Sequence, residues 1–175
     1  MINGEPQAAH FYNRPDLNVY LQTDAETRLY KSDLELYITY GGSLYKGGCD
    51  PIWLEDGSID YDVFDSVIYD TLGSNSNALA MVNFGMFAPP WWLEENPDHV
   101  ITSHDGTKYI KSDDASFASE KFREEAGEVL RQLIQHMKEQ SYYNRIYGIK
   151  ITGGHTYEWM TWGTGEGYAP DYSKA

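Results

Sequence analysis

Four short apolar runs punctuate the chain, and the stretches between them carry apolar residues at helical spacing. The first run, residues 8–12, is closed by Asn13, Arg14 and Pro15, residues that favour turns. A helix is expected after it over 17–30, on a weak periodicity. The second run, 34–40, is rich in β-formers and stops at Gly41-Gly42, as a strand bounded by turn residues does. Between 60 and 72, the residues Tyr61, Phe64, Val67, Ile68 and Leu72 step by three or four or close to it, which places them on one helix face. The third run, 78–87, ends at Pro89-Pro90, and a long polar loop over 94–116 with an Asp105-Gly106 turn is expected next. The plainest helix then begins near Ser116 or Ser119 as N-cap. Its expected buried stripe is Phe122, Ala126, Val129, Leu130, Leu133, Ile134 and Met137, with Glu124, Glu125, Glu128, Arg131, Lys138 and Glu139 facing water. The fourth run, Ile146–Thr152, leads into Gly153-Gly154.

Strand alternating with helix predicts an α/β domain with a parallel sheet. Strands that are nearly continuously apolar, rather than alternating, agree with burial on both faces. No repeat, low-complexity tract or linker divides the chain, so residues 1–175 read as one unit. Periodicity leaves open whether the sheet is a small doubly wound one or part of a barrel.

Composition adds to this in three places. Aromatic residues make up 15% of the chain, with fifteen Tyr and five Trp. Such rings stack on the flat apolar face of a sugar, although they also fill ordinary cores. The formal charge of −14 opposes phosphate backbones and anionic lipid, so nucleic acid and membranes are not expected partners. Cys49 is the single cysteine, which excludes an internal disulfide and a multi-cysteine metal site. No stretch is apolar enough to span a bilayer. The N-terminus shows no basic flank or apolar core of a secretion signal, and the compartment stays open between cytoplasm and exterior.

Candidate chemistry gathers where apolar runs end, the position that carries reacting groups in α/β folds. After the third run come Pro89-Pro90-Trp91-Trp92-Leu93 and Asn96-Pro97-Asp98; after the fourth come Gly153-Gly154-His155-Thr156-Tyr157-Glu158-Trp159 and Trp162-Gly163. Aromatic neighbours desolvate a carboxyl group and raise its pKa, as a general acid at a glycosidic oxygen requires. Glu158 between Tyr157 and Trp159 fits that description, and a solvated loop glutamate beside core aromatics fits it equally. For Trp91-Trp92, one ring can plug the core while the other lines a cleft. The five histidines lack ligand spacing, and His155 is expected to hydrogen-bond rather than bind metal. Asp60, Asp62, Asp65, Asp113 and Asp114 read as solvated or capping carboxylates, since they lack a calcium-loop pattern. No phosphate loop and no nucleophile elbow is present.

These stretches resemble the catalytic domain of β-galactosidase-like hydrolases related to glycoside hydrolase family 42, in the clan of retaining (β/α)8 enzymes. Ile2-Asn3-Gly4-Glu5-Pro6 is similar to the segment preceding the first barrel strand. Residues 88–93 with Asn96-Pro97-Asp98 are similar to the loop after strand three. Gly153 to Trp159, Trp162-Gly163 and Asp171-Tyr172-Ser173 are similar to the strand-four loop that bears the acid/base. The resemblance runs in order along essentially the whole chain. It implies a partial TIM barrel, about the first four β/α units, and a carbohydrate substrate. It implies Glu158 as general acid/base, with Asn83, Trp91, Trp92, His155 and Trp159 lining the sugar site, and no metal or organic cofactor. Tyr157 stands where many clan members have Asn, which bears on the substrate more than on the chemistry. In the clan the nucleophile follows strand seven, so residues 1–175 are expected to be the N-terminal part of a truncated catalytic domain, inactive alone. The alternatives are a non-catalytic carbohydrate-binding or pseudoenzyme barrel fragment, and a small doubly wound binding protein. The sugar, linkage and oligomeric state stay open.

Overall fold

The computed structural model describes residues 12–13, 29–31, 36–37, 52–73, 79–108, 115–153 and 171–175. Five strands form one parallel sheet: β1 (Tyr12–Asn13), β2 (Leu29–Lys31), β3 (Leu36–Tyr37), β4 (Leu79–Gly85) and β5 (Ile146–Thr152). Among the described residues three α-helices accompany them: α1 (Tyr61–Gly73), α2 (Pro90–Glu95) and α3 (Glu120–Glu139).

Register fixes the order of the sheet. Ala80 of β4 faces Tyr30 of β2 and also Ile146 of β5, while Phe84 faces Leu36 of β3 and Ile151 of β5. A strand has two edges, so β5 occupies one edge of β4 while β2 and β3 share the other. With Tyr12 of β1 opposite Tyr30 of β2, the sheet reads β1, then β2 and β3 together, then β4, then β5. Among the described residues the second, third and fourth expected strands meet through β3–β4 and β4–β5 pairing, while β1 pairs with β2, a strand that was not expected. The helix expected over 17–30 is corrected at its end, because Leu29 and Tyr30 belong to β2. Leu29, Tyr30 and Lys31 pair there with β4 and β1, a tertiary preference that outweighs a weak helical period. Residues 17–28 lie outside the described ones.

The core forms on one face of β4. Ala80, Val82 and Phe84 alternate along the strand and are fully buried, as a period of two requires. They join Phe64, Ile68 and Leu72 of α1 and Phe122, Ala126, Val129, Leu133 and Met137 of α3 in one cluster. Phe64 stacks on Phe84 with ring centroids 6.1 Å apart. Asp60 starts α1 by accepting from Val63 N at 3.0 Å; Ser119 caps α3 by accepting from Phe122 N at 3.0 Å. A missing N-cap costs a helix about 1 kcal/mol. Leu130 and Ile134 flank the buried stripe of α3 as half-buried residues rather than members of it.

On β5, Ile149 and Ile151 sit directly opposite Val82 and Phe84, yet they remain 38% and 46% exposed. Both described long helices cover β4 and stop short of that edge.

The segment expected to be a solvated loop is built instead. After β4 come α2, a 3-10 turn (Pro97–His99) and antiparallel bridges pairing Val100 with Ala115 and Thr102 with Lys108. Val100, Ile101 and Ser103 are buried beneath it. The Asp105-Gly106 turn closes the hairpin with Gly106 at φ +85°, a backbone region that glycine enters without steric cost.

Candidate functional site

The carboxyl ends of β4 and β5 are tied together where the two loops leave the sheet: Met86 N donates to Thr152 O at 2.7 Å. From that point the β4 exit runs through buried Phe87 and Ala88 into α2, started by Pro89 and Pro90. Proline is tolerated in a first helical turn because the N–H there has no helical partner to lose.

Trp91 and Trp92 divide on opposite sides of α2. Trp92 is 1% exposed, with its ring edge-on to Phe122 at 5.1 Å and near His99 at 6.1 Å. Its Nε1 donates to Glu125 Oε2 at 2.5 Å. No face of that indole is free for a sugar, and the expectation that Trp92 lines the site gives way to a core role. Trp91 is half-buried and donates from Nε1 to Trp53 O at 3.3 Å, with the two indoles edge to face at 5.2 Å.

Trp53 went unnoticed in the sequence. It lies in a tight hairpin before α1, in which Trp53 pairs with Ile59 and Gly57 takes φ +83°. The Asp56-Gly57 pair is a turn signal that could have located it.

A polar ring holds α2 onto the first turns of α3. Asn96, 8% exposed, donates from its side chain to Trp92 O at 2.7 Å and from its backbone N to the same oxygen at 2.9 Å. Lys121 Nζ donates to Asn96 Oδ1 at 2.6 Å and lies 3.7 Å from Glu125 Oε1. His99 Nδ1 and Ser119 Oγ are 2.8 Å apart. The ring fixes Trp92 inward, and Trp91, the next residue on the helix, is thereby turned toward Trp53.

Of the other expected site residues, Asn83 lies in β4 in register with Lys150 of β5. Glu158, His155 and Trp159 lie outside the described residues, between Gly153 and Asp171. Among the described residues no group of three His, Cys, Asp or Glu is placed to hold a metal ion, and no helix is long and apolar enough to cross a membrane.

Two features sit apart from the paired tryptophans. Asp65 of α1 accepts from Tyr142 Oη at 2.6 Å and from His136 Nε2 of α3 at 3.0 Å. Burial first, then the adjacent Asp65 carboxylate, pushes the Tyr142 hydroxyl well above the ordinary tyrosine value. Next to it a cavity of about 450 Å³ opens on α3, lined by Tyr61, Arg131, His136 and Glu139 among others. It is shallow and ringed by solvated side chains, and it touches neither Trp53 nor Trp91. The aromatic exit of β4 is the stronger candidate, because its rings are held in place by buried partners.

In a parallel α/β sheet the site lies at the carboxyl ends of the strands, and indoles placed there suit the apolar face of a sugar. The family model described as beta-galactosidase, glycoside hydrolase family 42, matches residues 51–148. That is more than half of the chain, and the chain belongs to this family. Membership implies a glycoside hydrolase type of function and a carbohydrate substrate. Among curated proteins none matches the chain.

Proposed function

We propose that the chain carries the acid/base half of a retaining β-galactosidase-like site, built on the first four β/α units of a (β/α)8 barrel. Glu158 protonates the oxygen of the departing group while a second carboxylate attacks the anomeric carbon. It then takes a proton from the water that releases the sugar. Retaining hydrolysis places the two carboxyl groups about 5–5.5 Å apart. Trp91 supplies the apolar platform for the sugar ring, and Asn83, His155 and Trp159 serve the same substrate.

One observation carries this reading. The Trp53–Trp91 pair stands at the exit of β4, and the exit of β5, tied to it through Met86 and Thr152, leads within five residues to Glu158. Family membership over 51–148 and the parallel pairing of β4 with β2, β3 and β5 support it further.

The test compares aryl β-galactosides with good and poor leaving groups in the full-length protein that supplies the second carboxylate, as wild type and as Glu158→Gln. With a poor leaving group the variant should lose about a hundredfold or more in the first step, the usual worth of proton transfer. With dinitrophenolate, which departs without a proton, the loss should be small. Equal losses would remove Glu158 from the acid role. Sugar binding with no turnover in the wild type would favour the non-catalytic carbohydrate-binding reading instead.

A further inference from the structure

Residues 52–60 form a tight hairpin that leads directly into α1. Trp53 pairs with Ile59, Asp60 N donates to Ile52 O at 2.8 Å, and Leu54 N donates to Ser58 O at 2.9 Å. Ile52 and Trp53 are 2% and 6% exposed and belong to the core shared by β4, α1 and α3. The backbone carbonyl and the ring of Trp53 are therefore held in place by contacts that do not involve Trp91.

Trp91 meets this fixed hairpin at two points. Its Nε1 donates to Trp53 O at 3.3 Å, and the two indoles stand edge to face at 5.2 Å with their planes 85° apart. An indole has one donor and no acceptor, so the single hydrogen bond that Trp91 can offer is already made within the chain. Perpendicular ring pairs are favoured by the aromatic quadrupole. The ring contact sets the plane of Trp91, and the hydrogen bond fixes the turn of the indole within that plane. Trp91 stays half-buried, and what it presents outward is apolar ring surface. A group seated there must offer C–H rather than hydroxyl, which suits the flat apolar face of a pyranoside.

Trp53 itself is too deeply buried for its ring to stack on a ligand. Its effect on a ligand passes through Trp91.

We propose that Trp53 is a positioning residue of the sugar site: its carbonyl takes up the indole N–H of Trp91 and its buried ring sets the plane of that indole, so that Trp91 meets a pyranoside through its apolar face alone. This rests on the reading of Trp91 as the sugar platform given above.

The contact is tested by NMR on the 175-residue chain. The indole N–H of Trp91, assigned by its absence in Trp91→Phe, should exchange slowly with solvent because it is hydrogen-bonded. Trp53→Leu keeps an apolar side chain and the backbone carbonyl but removes the ring. In that variant the exchange should quicken by about tenfold, while the N–H of Trp92, bonded to Glu125, keeps its rate. Trp53→Phe retains an aromatic ring and should fall between wild type and the Leu variant. An unchanged rate for Trp91, or an equal rise for Trp92, would overturn the positioning role.

The effect on the site is tested in the full-length protein by a double-mutant cycle on KM for an aryl β-galactoside. Trp53→Leu should raise KM by about threefold or more, the worth of an aromatic pair, with little change in kcat. Trp91→Ala should raise it at least as much. Added to Trp91→Ala, Trp53→Leu should have no further effect, because a residue that acts through another is silent once that other is gone. A second rise of the same size in the double variant would overturn the proposal, since a purely structural role for Trp53 predicts it. If Trp91→Ala leaves KM unchanged, the platform reading fails and the proposal falls with it. If Trp91→Ala raises KM and Trp53→Leu does not, the platform stands and the positioning role alone is lost.

Discussion

Near the start of α3, Glu125 accepts from Trp92, and Lys121 and Asn96 close a ring around the junction with α2. Toward the end of α3, Asp65 accepts from His136 and Tyr142 and binds the helix to α1. Both clusters centre on a carboxylate that crosses between elements, but their burial differs. The Lys121 and Glu125 side chains are 46% and 40% exposed, whereas those of His136 and Asp65 are 19% and 20% exposed. The shielded cluster keeps Tyr142 protonated and joins two helices that already share an apolar core. The solvated cluster gains little from its charges; what it does is orient α2, so that Trp92 packs into the core and Trp91 stays half-buried beside Trp53. Similar chemistry thus serves stability at one end of α3 and geometry at the other.

The largest expected effect divides the two tryptophans. Trp92→Ala removes a fully buried indole and its hydrogen bond, and should cost about 3–5 kcal/mol in urea denaturation. Trp91→Ala, at a half-buried position, should cost about 1 kcal/mol while weakening galactoside binding in an equilibrium titration. Should Trp91→Ala prove the more destabilising, or leave binding intact, the division of the pair into core and platform is wrong.

Next in size is the cluster at the other end. Asp65→Ala strands the Tyr142 hydroxyl and the His136 ring, and should cost about 1–3 kcal/mol. Tyr142→Phe removes one donor and should cost about 1 kcal/mol at neutral pH. The alkaline behaviour has a definite sign. The folded hydroxyl has a raised pKa, so its contribution is complete below the unfolded value near 10. As pH rises past that value the unfolded chain releases the proton first, and stability falls until the folded value is reached. Denaturation midpoints above that pH should therefore drop more steeply in wild type than in Tyr142→Phe. Parallel slopes would mean that Asp65 does not hold the proton. Glu125→Ala should come lower still, at about 1 kcal/mol or less, with its main effect on sugar binding through Trp91.

What the sequence made legible follows from how local each signal is. The bounds of β5, a cap for α3 at Ser116 or Ser119 and most of the buried residues of that helix were readable because strong periodicity and a capping residue agree over one window. The short strand Leu29–Lys31 was not, since its conformation comes from pairing with β1 and β4 rather than from its own pattern. The region 94–116 read as a polar loop because few of its residues are apolar, yet Val100 and Ile101 are fully buried and anchor its described part. At the site, the aromatic exit of β4 was visible from its composition. Which indole faces inward was not, for that choice depends on Glu125, Asn96 and Lys121 arriving from elsewhere in the chain. Trp53 was missed, Asp65 was read as a solvated or capping carboxylate, and the contacts of Asp171 went unseen, all for a related reason. Their partners lie from 38 to 77 positions away, and no local pattern records such a distance.

The smallest expected effect belongs to the exposed pair at the chain end. Lys174 beside Asp98 holds that carboxyl below the ordinary aspartate value, its hydrogen bond being the main cause. A depressed carboxyl stabilises the fold above its unfolded pKa, and the contribution is lost as pH falls through the folded value. Both side chains are largely in water, at 76% and 55% exposure, where salt screens such a pair and much of its Coulomb energy is offset by solvation. Lys174→Ala should accordingly leave the Tm unchanged at neutral pH, while an NMR titration shows Asp98 returning toward the ordinary value. High salt should produce the same return in the wild type. The tail would then be held by the Asp171 carboxylate on Thr102 and Ser116 and by its backbone bonds, with the ion pair a minor addition. A fall in Tm for Lys174→Ala as large as that for Asp65→Ala would contradict this. It would show that solvated charges near the start of α3 stabilise the fold as strongly as the shielded cluster at its end, and the contrast between the two would collapse.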